Sequence, residues 1–343
     1  MIDIKDIVIK DRAPVYKQLV EHIEGLVISG KLAPGEGIPS MAQMAKILDV
    51  SKETVKKAYG VLTRRGLLES HQGKGFFVRT RRKTSNLRII IITDNLSSHR
   101  KMFIDAFRKG LGPSAVVNIM IHNKDVQMLE YLLDQSLGKY DYFVITPHFS
   151  LDVQTSEEVK RQISRIPSRH LILADRTLEG IHGEFGAAYQ DFSQDVPEAL
   201  STAIDDLRRH PCLDVFTLPD SLYGEIVELS IARFCDNNGL HASFHNEVSS
   251  CTIKKGQVCF IYDYADQALF FLNEKALAEG IEIGKDIKVI MYNDSPLSAI
   301  LFGGLSTIST DFELMGSLCA EMIVSGEMKQ IKCPCRLIRR RTF

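Results

Sequence analysis

The chain has 343 residues, 45% apolar and 25% charged, the balance of a soluble globular protein large enough for two or three domains. Its longest apolar runs, such as residues 87–93, are far short of the roughly 20 residues a membrane-spanning helix needs. The first residues carry no apolar leader segment, so a cytoplasmic protein without a membrane partner is expected.

The net charge of −1 hides a split. Residues 1–85 sum to +7 and the remainder to −8, which suggests a basic end that meets a polyanion. Seven cysteines are scattered without a CxxC pair; Cys333 and Cys335 form a lone CPC. Reduced thiols fit better than a disulfide framework or a zinc site, so neither metal nor cofactor is expected.

Along the chain, Pro14 opens a helix whose Val15, Leu19, His22, Ile23, Leu26 and Val27 share one face, and Gly30 closes it. A turn-rich loop, KLAPGEGIPS, leads to Ser40, an N-cap for a helix with Met44, Ile47 and Leu48 inward. After a short turn, Ser51 caps a third helix with Val55, Ala58, Tyr59 and Leu62 as its buried stripe. LLESHQGKGFFV then alternates and turns at Gly73-Lys74-Gly75, as a β-hairpin does. Helix, helix, short turn, helix and hairpin make a helix-turn-helix with a wing (α+β). The third helix presents Lys52, Lys56 and Lys57 on its free face, and such a helix fits the major groove of double-stranded DNA. Glu53, in its first turn, suits the helix dipole or a cytosine amino group.

The segment LAPGEGIPSMAQMAKILDVSKETVKKAYGVLTRRGLLESHQGKGFFV resembles the winged-helix domain of the GntR family. The resemblance implies operator contacts from Ser51, Lys52, Thr54 and Lys56, with Ser40 and Lys57 beside them. It implies wing contacts from Gln72, Gly73 and Lys74. Two departures stand out: Ala42 replaces a usual Arg, and Lys52 and Lys56 stand where the family has Arg. Lysine binds phosphate as a point charge and lacks the fork that reads guanine, so phosphate anchoring is expected to dominate.

From Leu87 the pattern becomes alternating strand and helix and restarts after GAAYQDF, which implies doubly wound parallel sheets in two lobes with a ligand cleft between them. The expected boundaries are a DNA-binding domain over 1–79, a basic linker over 80–86 and a two-lobed domain over 87–343. Lobe 1 takes about 87–192 and 310–327, and lobe 2 about 193–309 and 328–343. Ligands sit beyond the carboxyl ends of parallel strands. The candidates there are Asp94, Ser98, His99, His148, Phe149, Asp175, Arg176, Tyr223, Asp263 and Asn293. Carboxylates and amides bind vicinal hydroxyls, and aromatic faces cover sugar rings.

Residues 265–343 resemble the effector domain of the LacI family, which shares its fold with type I periplasmic binding proteins. The resemblance adds Phe312 as a cleft aromatic and implies a homodimer on a pseudo-palindromic site. It also implies a sugar or sugar derivative as effector, though Asn293 replaces a family Asp and a non-sugar effector is the runner-up. Similar two-part chains are arabinose-responsive repressors, so a repressor of carbohydrate-utilisation genes is expected. No P-loop, GxSxG or HExxH is present, so the chain is not expected to be an enzyme.

Overall fold

The computed structural model describes residues 14–28, 31–33, 35–64, 67–71, 74–78, 87–218, 221–246, 253–262 and 265–343. Two compact units divide at Leu87. The smaller contains α1 (Val15–Ile28), β1 (Gly37–Ile38), α2 (Met41–Leu48), α3 (Lys52–Arg64), β2 (Leu68–His71) and β3 (Gly75–Val78). Ser40 starts α2 with a reciprocal capping box. Its hydroxyl accepts from the Gln43 N–H at 3.3 Å, and the Gln43 side chain accepts from the Ser40 N–H at 2.9 Å.

The expected hairpin is present, with Leu68 opposite Val78 and His71 opposite Gly75. A third strand, β1, forms inside the turn-rich loop and pairs with β3. One face of each helix fills the core, including Leu19, Ile23, Met44, Val55, Tyr59 and Leu62. Ile47 departs from expectation, being 44% exposed. The apolar stripe of α2 is Met41, Met44, Ala45 and Leu48, and Ile47 falls beside it. The proposed linker lies outside the described residues.

The larger unit opens with β4 (Arg88–Thr93), α4 (Ser98–Leu111), β5 (Val116–Ile121), α5 (Val126–Ser136), β6 (Tyr142–Ile145), α6 (Val153–Ile163), β7 (Leu171–Asp175) and β8 (Gly186–Tyr189). It continues with α7 (Asp195–Ser201), α8 (Ile204–Leu207), β9 (Leu213–Phe216), α9 (Gly224–Asn238), β10 (Ala242–His245), β11 (Val258–Ile261), α10 (Ala265–Ala278) and β12 (Lys288–Tyr292). It ends with β13 (Ser306–Thr310), α11 (Phe312–Ser325), β14 (Gln330–Lys332) and β15 (Cys335–Ile338). Among the described residues these strands form two sheets. The order in one is β5-β4-β6-β7-β8-β14, all parallel, and in the other β10-β9-β11-β12-β13-β15, parallel except for β15.

Four details differ from the sequence reading. VPEALSTAIDDLRR, which reads as one helix, forms two short ones, because Thr202 turns its hydroxyl back onto the Ala199 carbonyl at 2.7 Å and competes with the helical ladder. GAAY is a strand, β8, where a Cβ on Gly186 would meet Met322 Sδ at 2.7 Å. Strand β10 went unread. Strand β14 pairs with β8 of the first sheet, so the final passage to lobe 2 follows residue 332 rather than 327. The chain thus crosses between lobes after β8, after β13 and after β14.

Candidate functional site

Helix α3 of the smaller unit is the first candidate. Ser51 caps it, its hydroxyl accepting from the Thr54 N–H at 3.1 Å and lying 2.8 Å from the Thr54 hydroxyl. Both hydroxyls therefore serve the helix start. Lys52, Lys56 and Lys57 are exposed. Lys56 pairs with Glu53 at 3.1 Å, and the Lys57 ammonium lies 4.2 Å from the centroid of the Tyr16 ring. Among the described residues Lys52 makes no ion pair at the helix N-terminus, while Lys56 is partly neutralised. Tyr59 fastens α3 to its surroundings: its phenol donates to the Pro39 carbonyl at 2.7 Å and its ring meets Phe76 of the wing edge-on. Lys74 is exposed beside the wing turn. Gln72 and Gly73 lie outside the described residues, and Ser40 is the cap of α2.

The second candidate lies at the strand ends of the larger unit. Asp94 follows β4, Asp175 ends β7, and both are buried against Arg100 of α4. Arg100 donates to Asp94 at 3.1 Å and to Asp175 at 2.6 Å. Burial alone would push both carboxyls up, but the Arg100 guanidinium beside them holds them below the usual carboxylate range. His148 Nε2–H donates to Asp175 at 2.8 Å, and in that tautomer Nδ1 accepts from the Tyr223 phenol at 2.8 Å. Tyr223 stacks on Phe192 with centroids 3.8 Å apart, and the Arg176 guanidinium lies 5.6 Å from its ring centroid. Gln190 donates to the other Asp175 oxygen and accepts from Tyr292 at 2.6 Å and Thr310 at 2.9 Å.

Asp94, His148, Asp175 and Tyr223 therefore share one buried polar cluster, with Arg176 at its margin. Asp175, which ends β7, and Asn293, which follows β12, both lie in the left-handed region, at φ 73° and 66°, and the Asn293 side-chain oxygen is buried without a partner among the described residues. Of the other candidates, His99 borders the cluster, close enough to feel the charges of Arg100, Asp175 and Asp94. Phe149 belongs to the first lobe's core and stacks on His122 at 4.1 Å, because its ring is needed there to cover β4 and β6. Phe312 is buried and packs on His99 at 4.8 Å. Ser98 lines an outer groove of about 880 Å³ with Lys101, Asp105, Leu297 and Glu313. Asp263 lies outside the described residues.

Sequence reasoning missed Arg100, Gln190, Phe192 and Tyr292. Arg100 had a signal: it sits on the same stripe as Phe103, Ile104, Phe107 and Leu111, a charge where an apolar residue belongs.

Comparison with known proteins agrees with both folds. Residues 15–78 match the family described as bacterial regulatory proteins, gntR family, and residues 258–343 match the periplasmic binding protein-like domain. The chain joins a GntR-type helix-turn-helix domain to a periplasmic-binding-protein-like domain. Over 104 residues it is 29% identical to the HTH-type transcriptional repressor YtrA of Bacillus subtilis, covering 30% of this chain and 78% of YtrA. Over 89 residues it is 34% identical to the arabinose metabolism transcriptional repressor of Geobacillus stearothermophilus, covering 25% of this chain and 24% of that repressor. The periplasmic-binding-protein-like fold is shared with the trehalose repressor from Escherichia coli (TM-score 0.58, 15% identity, 74% of this chain and 100% of that one). It is shared too with a LacI family transcriptional regulator from Lactobacillus casei with bound sucrose (TM-score 0.59, 15% identity, 75% and 99%).

Proposed function

We propose that this chain is a cytoplasmic transcriptional regulator, acting as a repressor, whose GntR-type helix α3 reads double-stranded DNA and whose two-lobed domain takes a sugar or sugar derivative. The observation that carries the reading is the capped helix with Lys52, Lys56 and Lys57 exposed along one side. Such a surface gains its affinity from displaced counterions, so binding weakens steeply with salt. Selection of duplexes from a random pool by the full chain, followed by salt titration on the selected duplex, tests it. Lys52→Ala should lower the slope of log K against log salt by about one. Lys56→Ala should lower it less, because Glu53 already pairs with that lysine. An unchanged slope in both variants would remove this face from the DNA.

The chain acts as a homodimer on this reading, so two copies meet a pseudo-palindromic site. Phe270 and Leu277 of α10 are 60% and 68% exposed, and Ile300 is 71% exposed. Exposed apolar side chains of that size support a contact with a second copy. Leu277→Lys should yield a monomer in sedimentation velocity, and a monomeric parent protein would contradict the dimer.

A further inference from the structure

The carboxylate of Asp175 is the meeting point of two hydrogen-bond relays, and each relay ends on a tyrosine of the second lobe. The first runs from Asp175 through His148 to Tyr223. The second runs from Asp175 through Gln190 to Tyr292, with Thr310 joining at the same Gln190 oxygen. Gln190 stands where the chain leaves β8 for lobe 2, and Thr310 ends β13 where it returns. One amide side chain therefore ties together the first lobe's floor, a second-lobe strand and two crossings.

Its chemistry is specific to the position. The amide N–H must face the carboxylate and the carbonyl oxygen the two hydroxyls. The flipped amide would set its oxygen against Asp175. A carboxylate at 190 would keep the hydroxyl partners but place two anions together. The site is buried, so an unmade bond there is costly.

We propose that Gln190 is a positioning residue that sets the closure of the lobes and so tunes DNA affinity without touching either DNA or effector. This rests on the regulator reading above. Asp175 is the hub of that latch rather than a hydroxyl-binding group, since its two oxygens accept from Gln190, Arg100 and His148. An effector that binds the cleft acts by exchanging its own bonds for one of the two tyrosine links, and this changes closure.

The test uses the full chain and the duplex it selects from a random pool, with no small molecule added. Affinities are measured for the parent, Gln190→Met, Tyr292→Phe and the double variant. The proposal expects each single variant to shift the dissociation constant at least fivefold in the same direction. The double variant should go no further than the larger single, since both break one relay. Tyr292→Phe removes only a hydroxyl and keeps the test open should Gln190→Met unfold. Affinities within twofold of the parent, or shifts that multiply in the double variant, would overturn it even where melting temperatures fall. A parent that selects no duplex would instead defeat the regulator reading and this inference with it.

Discussion

Arg100 shows what one buried charge does in this fold. Its single positive charge bridges Asp94 and Asp175, so both carboxylates are engaged inside the fold rather than presented to a ligand in the way the strand-end rule suggests. Arg100→Met leaves two buried anions facing each other and should cost about 3–5 kcal/mol in urea denaturation. A loss under about 1 kcal/mol would mean the cluster is wetter than its burial implies. Gly60 offers a second residue-scale prediction. It lies mid-helix in α3, opposite the buried stripe, and nothing stands within 4 Å of a Cβ added there. Gly25 in α1 is equally open and serves as the control. Each Gly→Ala change should stabilise the protein by about 0.5–1 kcal/mol. On the proposed reading Gly60 shares the exposed face of α3 with Lys56 and Lys57, so only Gly60→Ala should weaken duplex binding, by about tenfold. Equal effects of the two changes on binding would contradict a close approach at Gly60.

At the scale of elements, the strand ends of the first lobe carry an acid-sensitive group. His122 follows β5, fully buried, with Nε2–H donating to the Thr146 carbonyl at 3.0 Å and Nδ1 accepting from the Lys124 N–H at 3.0 Å. Burial pushes its pKa down to about 4. The unfolded chain takes up that proton near pH 6.5, so between these values the unfolded state binds more protons. Stability is full above about pH 6.5 and falls as pH drops toward 4, by up to about 3 kcal/mol from this group. Urea midpoints at pH 7 and pH 5 should differ in that direction, and less so in His122→Gln; equal midpoints would contradict a neutral, buried ring. Elements were legible where periodicity was strong. The Val55, Ala58, Tyr59 and Leu62 stripe and the apolar run of β4 could be read directly. Strand β8 was not, because a glycine and two alanines carry no alternation, and β14 looked like a tail until its partner β8 was in view. The cluster was half legible. Topology located Asp94, His148, Asp175 and Tyr223, but Gln190 and Tyr292 gain meaning only from partners more than 100 residues away.

At the scale of the whole molecule, the proposed reading assigns the +7 charge of residues 1–85 to the DNA-binding part and the −8 charge of the remainder to the effector-binding part. For such a regulator, moving DNA occupancy by two orders of magnitude requires the effector to prefer one lobe arrangement by about 3 kcal/mol. The two tyrosine links across the cleft are few enough to be exchanged for ligand bonds at that cost. The most direct measurement is the affinity of the full chain for its selected duplex, with and without a sugar that raises its melting temperature in a screen of monosaccharides, disaccharides and their phosphates. The account predicts at least a tenfold change in the dissociation constant. A stabilising sugar that leaves the constant unchanged would contradict it.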